Sequence, residues 1–580
     1  MKRIEWLEWS EDAFKKARES GKLVLLSIGA SWCHWCHVMD KTSYSDEEVI
    51  RLVNEKFVPV RVDNDKRPDI NRRYNMGGWP TIAFLTSEGE PIGGGTYWPP
   101  DQLKEILSAT SRFYEENKGR VHADSRKWAS QIEKEMRFDK ATQNLSSSIV
   151  DEIILSIVES FDQVYGGFGD RPKFPSSEAL ELGLSYYWHT GERGLLNIVT
   201  KSLDLMANGE IHDREAGGFF RYATARDWRA PHFEKMCEDN ARLVANYLHA
   251  FQVAGNARYR DIAKSILEYV DSTLCNRDDG GFYGSQTADE EYYRLSGQER
   301  QSRSSPAVDK TIYTSWNAMM ASSYLLASIL LGETEYQEFA LKAISILLKK
   351  CYVPNREMFH YYAEGGSQIP RMLADQVYMA RCLLDAYQIS LEKSCLEAAE
   401  DLAAFMLHSL YDSENGGFFD KVRDSSDLGA LRGSVKPIDE NAVAADVLTV
   451  LYYLTGNENY LSRAEETLQL FSESFRQVGI LSAAYGLSVD RFLNPVHVSV
   501  IGPRDDSLTR DMICESLRLY EPRKIVEVLD PTLSHDRISA LGYSFEGNAL
   551  AYICIGQTCL RPITDPKKIT EQIRRFSCSG

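Results

Sequence analysis

Leu23-Val24-Leu25-Leu26-Ser27-Ile28 is a short apolar run between Gly21 and Gly29, the pattern of a buried strand. Phe57-Val58-Pro59-Val60-Arg61-Val62 and Thr81-Ile82-Ala83-Phe84-Leu85 repeat it, and a polar helix capped by Ser10 and running through Arg18 precedes the first strand. From about Lys118 the periodicity becomes that of long amphipathic helices. Two marks recur along them. Gly-Gly-aromatic stands at Gly166-Gly167-Phe168, Gly217-Gly218-Phe219, Gly280-Gly281-Phe282 and Gly416-Gly417-Phe418. A polar amide opens an apolar helix at Asn240, Asn317, Gln376 and Asn441. The steps Asn240 to Phe282, Asn317 to Phe359 and Gln376 to Phe418 are each 42 residues, and the same step from Arg126, Ser177 and Asn441 reaches Phe168, Phe219 and Ala483. That makes six units, each long enough for two helices of about 15–17 residues and a turn.

Within a unit the amide shares a face with apolar residues, as Asn240 does with Leu243, Tyr247, Leu248 and Phe251. Six such hairpins closed in a ring, an (α/α)6 toroid, would turn the amides toward one mouth; an open helical solenoid is the other arrangement. The Gly-Gly pairs read as left-handed caps after each second helix. Beyond Arg491, His497-Val498-Ser499-Val500-Ile501 and Lys524-Ile525-Val526-Glu527-Val528 suggest strands of a small C-terminal α/β lobe. The fold class expected is multi-domain: an α/β domain over 1–118, the all-α toroid over 119–490 and the lobe over 491–580.

The chain has 580 residues, 43% of them apolar, and a net charge of −18. That acidity argues against a nucleic-acid backbone or an anionic membrane as partner. No run approaches the roughly 18 apolar residues of a membrane span, and the start lacks a signal-peptide core, so a cytoplasmic location is expected. Eleven cysteines are too sparse for a disulfide framework.

One tight pair stands out, in Ser31-Trp32-Cys33-His34-Trp35-Cys36-His37. Strand, CxxC, helix, strand and then Trp79-Pro80 before another strand is the order of a thioredoxin-like fold. Cys33 would sit at a helix N-terminus, where unpaired N–H groups favour a thiolate, with Cys36 one turn later to resolve a mixed disulfide. His34 and His37 add positive charge, Trp32 and Trp35 shield the pair, and Pro80 is the expected cis-proline opposite it. Half of a metal site and an inert remnant are the competing readings. No cofactor or metal is expected.

Polar residues gather where the ring model puts its mouth: Arg171 and Lys173 before Ser177, His232, Glu234 and Asp239 before Asn240, Lys310 and Trp316 before Asn317, then Asp375 and Glu440. Glu234 and Asp375 are candidate acid/base groups; Arg171, Lys173, His232, Asp239, Asn240, Lys310, Trp316, Asn317 and Glu440 are candidate ligand contacts, with Trp316 suited to stacking on a sugar face. Carboxylates in a first helical turn also serve as simple caps, and that reading stands beside the catalytic one. The functions left open are thiol–disulfide exchange with a thiol or disulfide partner, carbohydrate chemistry on a sugar-like ligand, and non-catalytic binding.

The motifs together resemble the thioredoxin-domain proteins that include spermatogenesis-associated protein 20. They are Ser31 to Met39, Asp65-Lys66-Arg67-Pro68-Asp69, Gly77-Gly78-Trp79-Pro80, Gly167-Phe168-Gly169 with Pro172-Lys173-Phe174-Pro175, and Pro231-His232-Phe233-Glu234-Lys235-Met236. Asp309-Lys310, Thr314-Ser315-Trp316-Asn317 and Tyr552-Ile553-Cys554 complete the set. The resemblance implies a thioredoxin-like domain fused to a six-hairpin glycosidase-like domain, with no settled reaction. The chain departs from it between Asp69 and Gly77, where it is short, and at Pro437-Ile438-Asp439-Glu440-Asn441 in place of Pro-Ser-Gly-Asn. Cys554 and Cys559 read as ordinary buried thiols or as a second redox pair.

Overall fold

The computed structural model describes residues 3–135, 143–353, 357–556 and 558–577. Its N-terminal sheet has four strands, Leu23–Gly29, Phe57–Asp63, Thr81–Leu85 and Pro91–Gly95, in the order second, first, third, fourth. The first two are parallel, with Leu23 opposite Phe57 and Gly29 opposite Asp63, and the other pairings are antiparallel. The fourth strand escapes sequence reading because Pro-Ile-Gly-Gly-Gly carries no apolar run. Ser10 caps the helix Glu11–Ser20, and the Trp79–Pro80 bond is cis. The helix Pro100–Glu135 crosses residue 118, bends at Asn117 and packs on this sheet domain. The stretch around Arg126 is thus no part of the ring.

Six inner helices follow: Ser177–Thr190, Cys237–Ala254, Thr314–Leu331, Leu373–Ser390, Ile438–Thr455 and Ala483–Leu493. Each packs on the next, and the sixth returns to the first, so the ring is closed. The first five are backed by the helices that follow them, Arg193–Asn208, Ala257–Tyr269, Thr334–Lys350, Lys393–Ser409 and Glu458–Gln469. The sixth is backed by Ser148–Ser160, the helix that opens the domain. The sixth hairpin is therefore made of the first and last helices of the ring. Its apolar cement is continuous, from Ile153 and Ile157 through Tyr247, Leu383 and Leu448 to Val489.

The recurring amides hold this ring together. Asn240 Oδ1 accepts from the N–H of Phe219 at 2.8 Å, and its Nδ2 donates to the carbonyls of Phe219 and Met236. Asn317 makes the same three bonds to Phe282 and Tyr313, Gln376 to Met358 and Met372, and Asn441 to Phe418 and Pro437. Each amide thus clasps the turn before its own helix. The clasped residue of the fourth unit is Met358, not Phe359. The Gly-Gly pairs shape these turns rather than cap helices: Gly281 and Gly417 have φ of 88° and 73°, and a Cβ on either would lie 3.1 Å from the clasping amide oxygen. Four of the six inner helices are instead capped by Gly191, Gly255, Gly332 and Gly456. Asn240 and Asn317, expected as ligand contacts, are fully buried with both amide atoms spent on backbone.

A lysine clasp reinforces three of the turns. Lys173 Nζ donates to Asp162 (2.6 Å) and to the Gly166 carbonyl, Lys235 to Asp213 (2.7 Å) and Gly217, and Lys436 to Asp412 (2.8 Å) and Gly416. Lys173 is therefore not a ligand contact either: its ammonium is fully buried and its partners are the turn itself.

The C-terminal lobe carries strands Val496–Ile501, Lys524–Leu529, Leu550–Ile555 and Thr558–Cys559, again in the order second, first, third, fourth. The first pair is parallel and the others antiparallel, as in the N-terminal sheet. Helices Ser507–Arg518, His535–Ala540 and Lys567–Ser577 fall in the matching places. Among the described residues no helix is long and apolar enough to cross a membrane.

Candidate functional site

Cys33 is the N-cap of the helix His34–Lys41, and its Sγ accepts from the N–H of Cys36 at 3.2 Å. The two cysteines are joined in a disulfide, 5.3 Å apart at Cα. They are only 5% and 9% exposed, because the ring covers them: with Trp32 they pack against Met236 and Trp316, two residues of ring hairpins. Trp32 Nε1 donates to Asp65 at 2.6 Å. Burial first, and then neighbouring Asp63, pushes the Asp65 carboxyl up to about 8, while Trp32 and Asn64 oppose the shift by hydrogen bonding. The guanidinium of Arg221, from the ring, lies 4.6 Å from the Trp32 ring and 4.9 Å from that of Trp79, so both domains meet around the pair. The N–H of Ala288 donates to the carbonyl of Trp32 at 3.4 Å.

Glu234 stands behind Arg221, 3.9 Å from it and 3.9 Å from His232. Glu234 is 1% exposed, and its Oε2 has no hydrogen-bond partner. Burial raises the carboxyl to about 7 against the pull of Arg221. Asp239 is similar: buried Oδ2 is unpartnered, and burial with the charge of Glu238 lifts it to about 7. His232 stacks on Tyr222 at 4.4 Å, and burial lowers its imidazole below its ordinary range. Trp316 lies at the cysteines, whereas Arg171 and Lys310 are exposed to solvent. Among the described residues no three His, Cys, Asp or Glu side chains converge so as to hold a metal ion.

Two expected site residues are consumed in joining the domains. Asp375 is fully buried, accepting from His360 Nδ1 at 2.9 Å and from the N–H of Ser315. His360 Nε2 donates to the carbonyl of Asp65 at 2.7 Å, so the ion pair bridges ring and N-terminal domain. Glu440 is held by Arg72, while neighbouring Arg73 donates to Asp420 at 2.7 Å. Asp375 and Glu440 are therefore not placed to meet a substrate. His360, Arg72, Arg73 and Arg221 had no sequence signal of their own, since each is defined by a contact across the domain junction.

Burial acts to lower the His360 imidazole, but Asp375 and the Asp65 carbonyl outweigh it and raise the group to about 9. Its folded value thus exceeds the ordinary 6.5. The stabilisation is fully present below that ordinary value and is lost as pH rises through about 9. Melting temperatures measured from pH 6 to 10 should fall across this window in the native chain, and His360→Gln should flatten that part of the profile.

A cavity of ≈ 460 Å³ runs along the ring axis. Four of its basic groups are paired with acids of its wall, Arg242 with Glu178 (3.1 Å), His249 with Glu181 (2.9 Å), and both Arg381 and Arg491 with Asp446, while Lys524 donates to the carbonyls of Leu517 and Leu519. Ser185 Oγ and Asn246 Oδ1, both buried on its wall, have no partner. The C-terminal lobe closes the far end with 517 and 519–524, Tyr520 donating to Glu181 at 3.1 Å. At the near end Arg242 also meets Glu238, whose charge reaches Asp65 beside the cysteines. No sequence mark predicted this chamber, because its lining is drawn from scattered positions on the six inner helices and from the lobe residues 517 and 519–524.

Residues 1–133 match the family described as "Protein of unknown function, DUF255", Thioredox_DsbH. The chain is 27% identical to spermatogenesis-associated protein 20 of Homo sapiens, over 97% of this chain and 89% of that one. A thioredoxin H-type of Fagopyrum esculentum is 35% identical over 15% of this chain and 68% of its own. Among solved structures, a sugar epimerase from a ruminal bacterium superposes with a TM-score of 0.47 at 15% identity, covering 56% of this chain and 85% of that one. The chain thus opens with a thioredoxin-like domain that matches the DUF255 family model, carries it on a closed ring of helical hairpins, and is similar over nearly its whole length to spermatogenesis-associated protein 20.

Proposed function

We propose that the protein is a cytoplasmic thiol–disulfide oxidoreductase whose Cys33–Cys36 pair works against the ring, and that the ring chamber binds a small polar, sugar-like molecule. The observation that carries the reading is the seat of the pair: a helix N-cap sulfur enclosed by Trp32, Met236 and Trp316. A helix N-terminus favours the Cys33 thiolate, and Cys36 is one turn away to displace the bound sulfur. In the reductive direction Cys33 thiolate attacks a substrate disulfide, one substrate sulfur leaves as thiolate, and Cys36 then displaces the other, leaving Cys33–Cys36 oxidised. Glu234, set behind the Arg221 that covers Trp32 and lifted by burial to about 7, is the carboxyl this reading casts as proton carrier. Enclosure selects small or extended substrates over the faces of folded proteins.

The chamber supports the ligand half of the reading. Its paired ions neutralise one another and Lys524 is turned to backbone carbonyls, so it offers no surplus charge for an anion, while Ser185 and Asn246 leave a hydroxyl and an amide oxygen for neutral hydroxyl groups. The volume suits a mono- or disaccharide. A thermal-shift panel of neutral mono- and disaccharides, run on oxidised and reduced protein, tests this half. A true ligand at a hundredfold over its Kd adds about 2.7 kcal/mol to apparent stability. A panel without a shift, in either redox state, would count against the chamber; exchange lost in Cys33→Ser tests the other half independently.

A further inference from the structure

The C-terminal lobe repeats the thioredoxin-like topology so closely that its positions can be matched to those of the N-terminal domain. Ile28 pairs with Thr81 and with Val62, and Ile501 pairs with Leu550 and with Leu529. Counting from these rungs, Asp506 falls at the place of Cys33, Thr509 at that of Cys36 and Ala549 at that of Pro80. The local bonding matches as well. Asp506 is the N-cap of Ser507–Arg518 and accepts from the N–H of Thr509 at 2.9 Å, as Cys33 does from Cys36. A Cβ on Gly502 would press on Thr509 Oγ1 as one on Gly29 would press on Cys36 Sγ. The lobe is thus a second thioredoxin-like fold with no sulfur at the helix end.

Its sulfurs are elsewhere. Cys554 and Cys559 face each other across the hairpin of the third and fourth strands, 4.0 Å apart at Cα, and form a disulfide. The two are unequal. Cys559 is exposed on a two-residue edge strand, while Cys554 is 8% exposed and its Sγ accepts a hydrogen bond from the Tyr543 hydroxyl at 3.4 Å. The Tyr543 ring is fixed by stacking on Tyr552 at 4.0 Å, so the donor is already in position. One sulfur is open to attack, and the other has a hydroxyl ready to stabilise it as it leaves.

We propose that Cys554–Cys559 is a second thiol–disulfide exchange site, on the sheet edge of the lobe, that accepts electrons from low-molecular-weight thiols. An incoming thiolate bonds to Cys559 Sγ, the Sγ–Sγ bond breaks, and its electron pair leaves on Cys554, stabilised by Tyr543. A second thiol attacks the adduct at the external sulfur, so that Cys559 leaves as thiolate; two small thiols are oxidised to one disulfide and the protein pair is reduced.

The test uses the full chain carrying Cys33→Ser and Cys36→Ser, so failure here is distinct from failure of the first site. The protein is equilibrated with oxidised and reduced glutathione in varied ratio, quenched in acid, alkylated and read by peptide mass spectrometry, because Cys237, Cys275, Cys351, Cys382, Cys395 and Cys514 are unpaired. The expected result is a reversible transition of the Cys554–Cys559 peptides in the folded protein. The glutathione adduct should sit on Cys559, and Tyr543→Phe should slow its formation without unfolding the lobe. A pair that reacts only in denaturant, that never forms a disulfide, or whose adduct sits on Cys554 would overturn the proposal. Since the double variant could misfold, the same peptides are followed in the native chain, where the same outcomes decide.

Discussion

Reduced protein carrying Cys36→Ser is expected to trap its substrate on Cys33 as a stable mixed disulfide, while Cys33→Ser gives neither adduct nor turnover. The difference follows from position. Both sulfurs lie under the ring, but Cys33 caps the helix His34–Lys41 and its sulfur accepts from the N–H of Cys36, whereas Cys36 lies inside the first turn. Removing the attacking sulfur abolishes the first step; removing the resolving sulfur stops the reaction after it. The measurement is whole-protein mass after incubation with a small disulfide such as oxidised glutathione. Adduct on Cys36 in Cys33→Ser, at a rate like that of the native chain, would reverse the assigned roles. Because the pair lies behind Met236 and Trp316, Trp316→Ala should speed trapping of larger disulfides more than that of glutathione.

The second large effect is on stability. Asn317→Leu keeps the volume of the side chain but leaves the N–H and carbonyl of Phe282 without partners in a fully buried site, while the Tyr313 carbonyl keeps its bond as helix N-cap. At about 1–3 kcal/mol for each of the two unsatisfied groups, the expected loss is about 2–6 kcal/mol. That is a large part of the roughly 5–15 kcal/mol that holds a typical domain together. Lys310→Ala, at an exposed position in the loop just before the same helix, should stay within about 0.5 kcal/mol. Urea midpoints read by tryptophan fluorescence would compare the two. Equal midpoints would show that the amide clasp does not carry the ring.

These two sites also mark how far the sequence can be read. The Cys33–Cys36 motif, its flanking strands and Trp79-Pro80 are local, and local patterns specify local structure, so the first fold was legible. The ring was legible for a different reason: two helices and a turn have a fixed length, and the repeated step of 42 residues measures it. What the step hid was the direction of the contact. The clasps run backward across loops of 21, 35, 18 and 23 residues, and such variable gaps leave no period. The amides were therefore found and given the wrong task. Lys235 and Lys436, each five residues before an amide, were a readable clue to the clasp. Asp375 and Glu440 illustrate the remaining gap: a carboxylate at a helix start has the same spelling whether it meets a ligand or an arginine of another domain, here Arg72 for Glu440.

The sixth hairpin has a consequence for how the protein is made. Ser148–Ser160 presents Ile149, Val150, Ile153, Ile154 and Ile157 to a partner, Ala483–Leu493, that leaves the ribosome more than three hundred residues later. Through that interval the oily stripe has only Ser177–Thr190 against it, and the barrel stays ajar. Chaperones that bind such stripes would have their longest window on this helix, and a transcript truncated before codon 483 would yield a product that cannot shut.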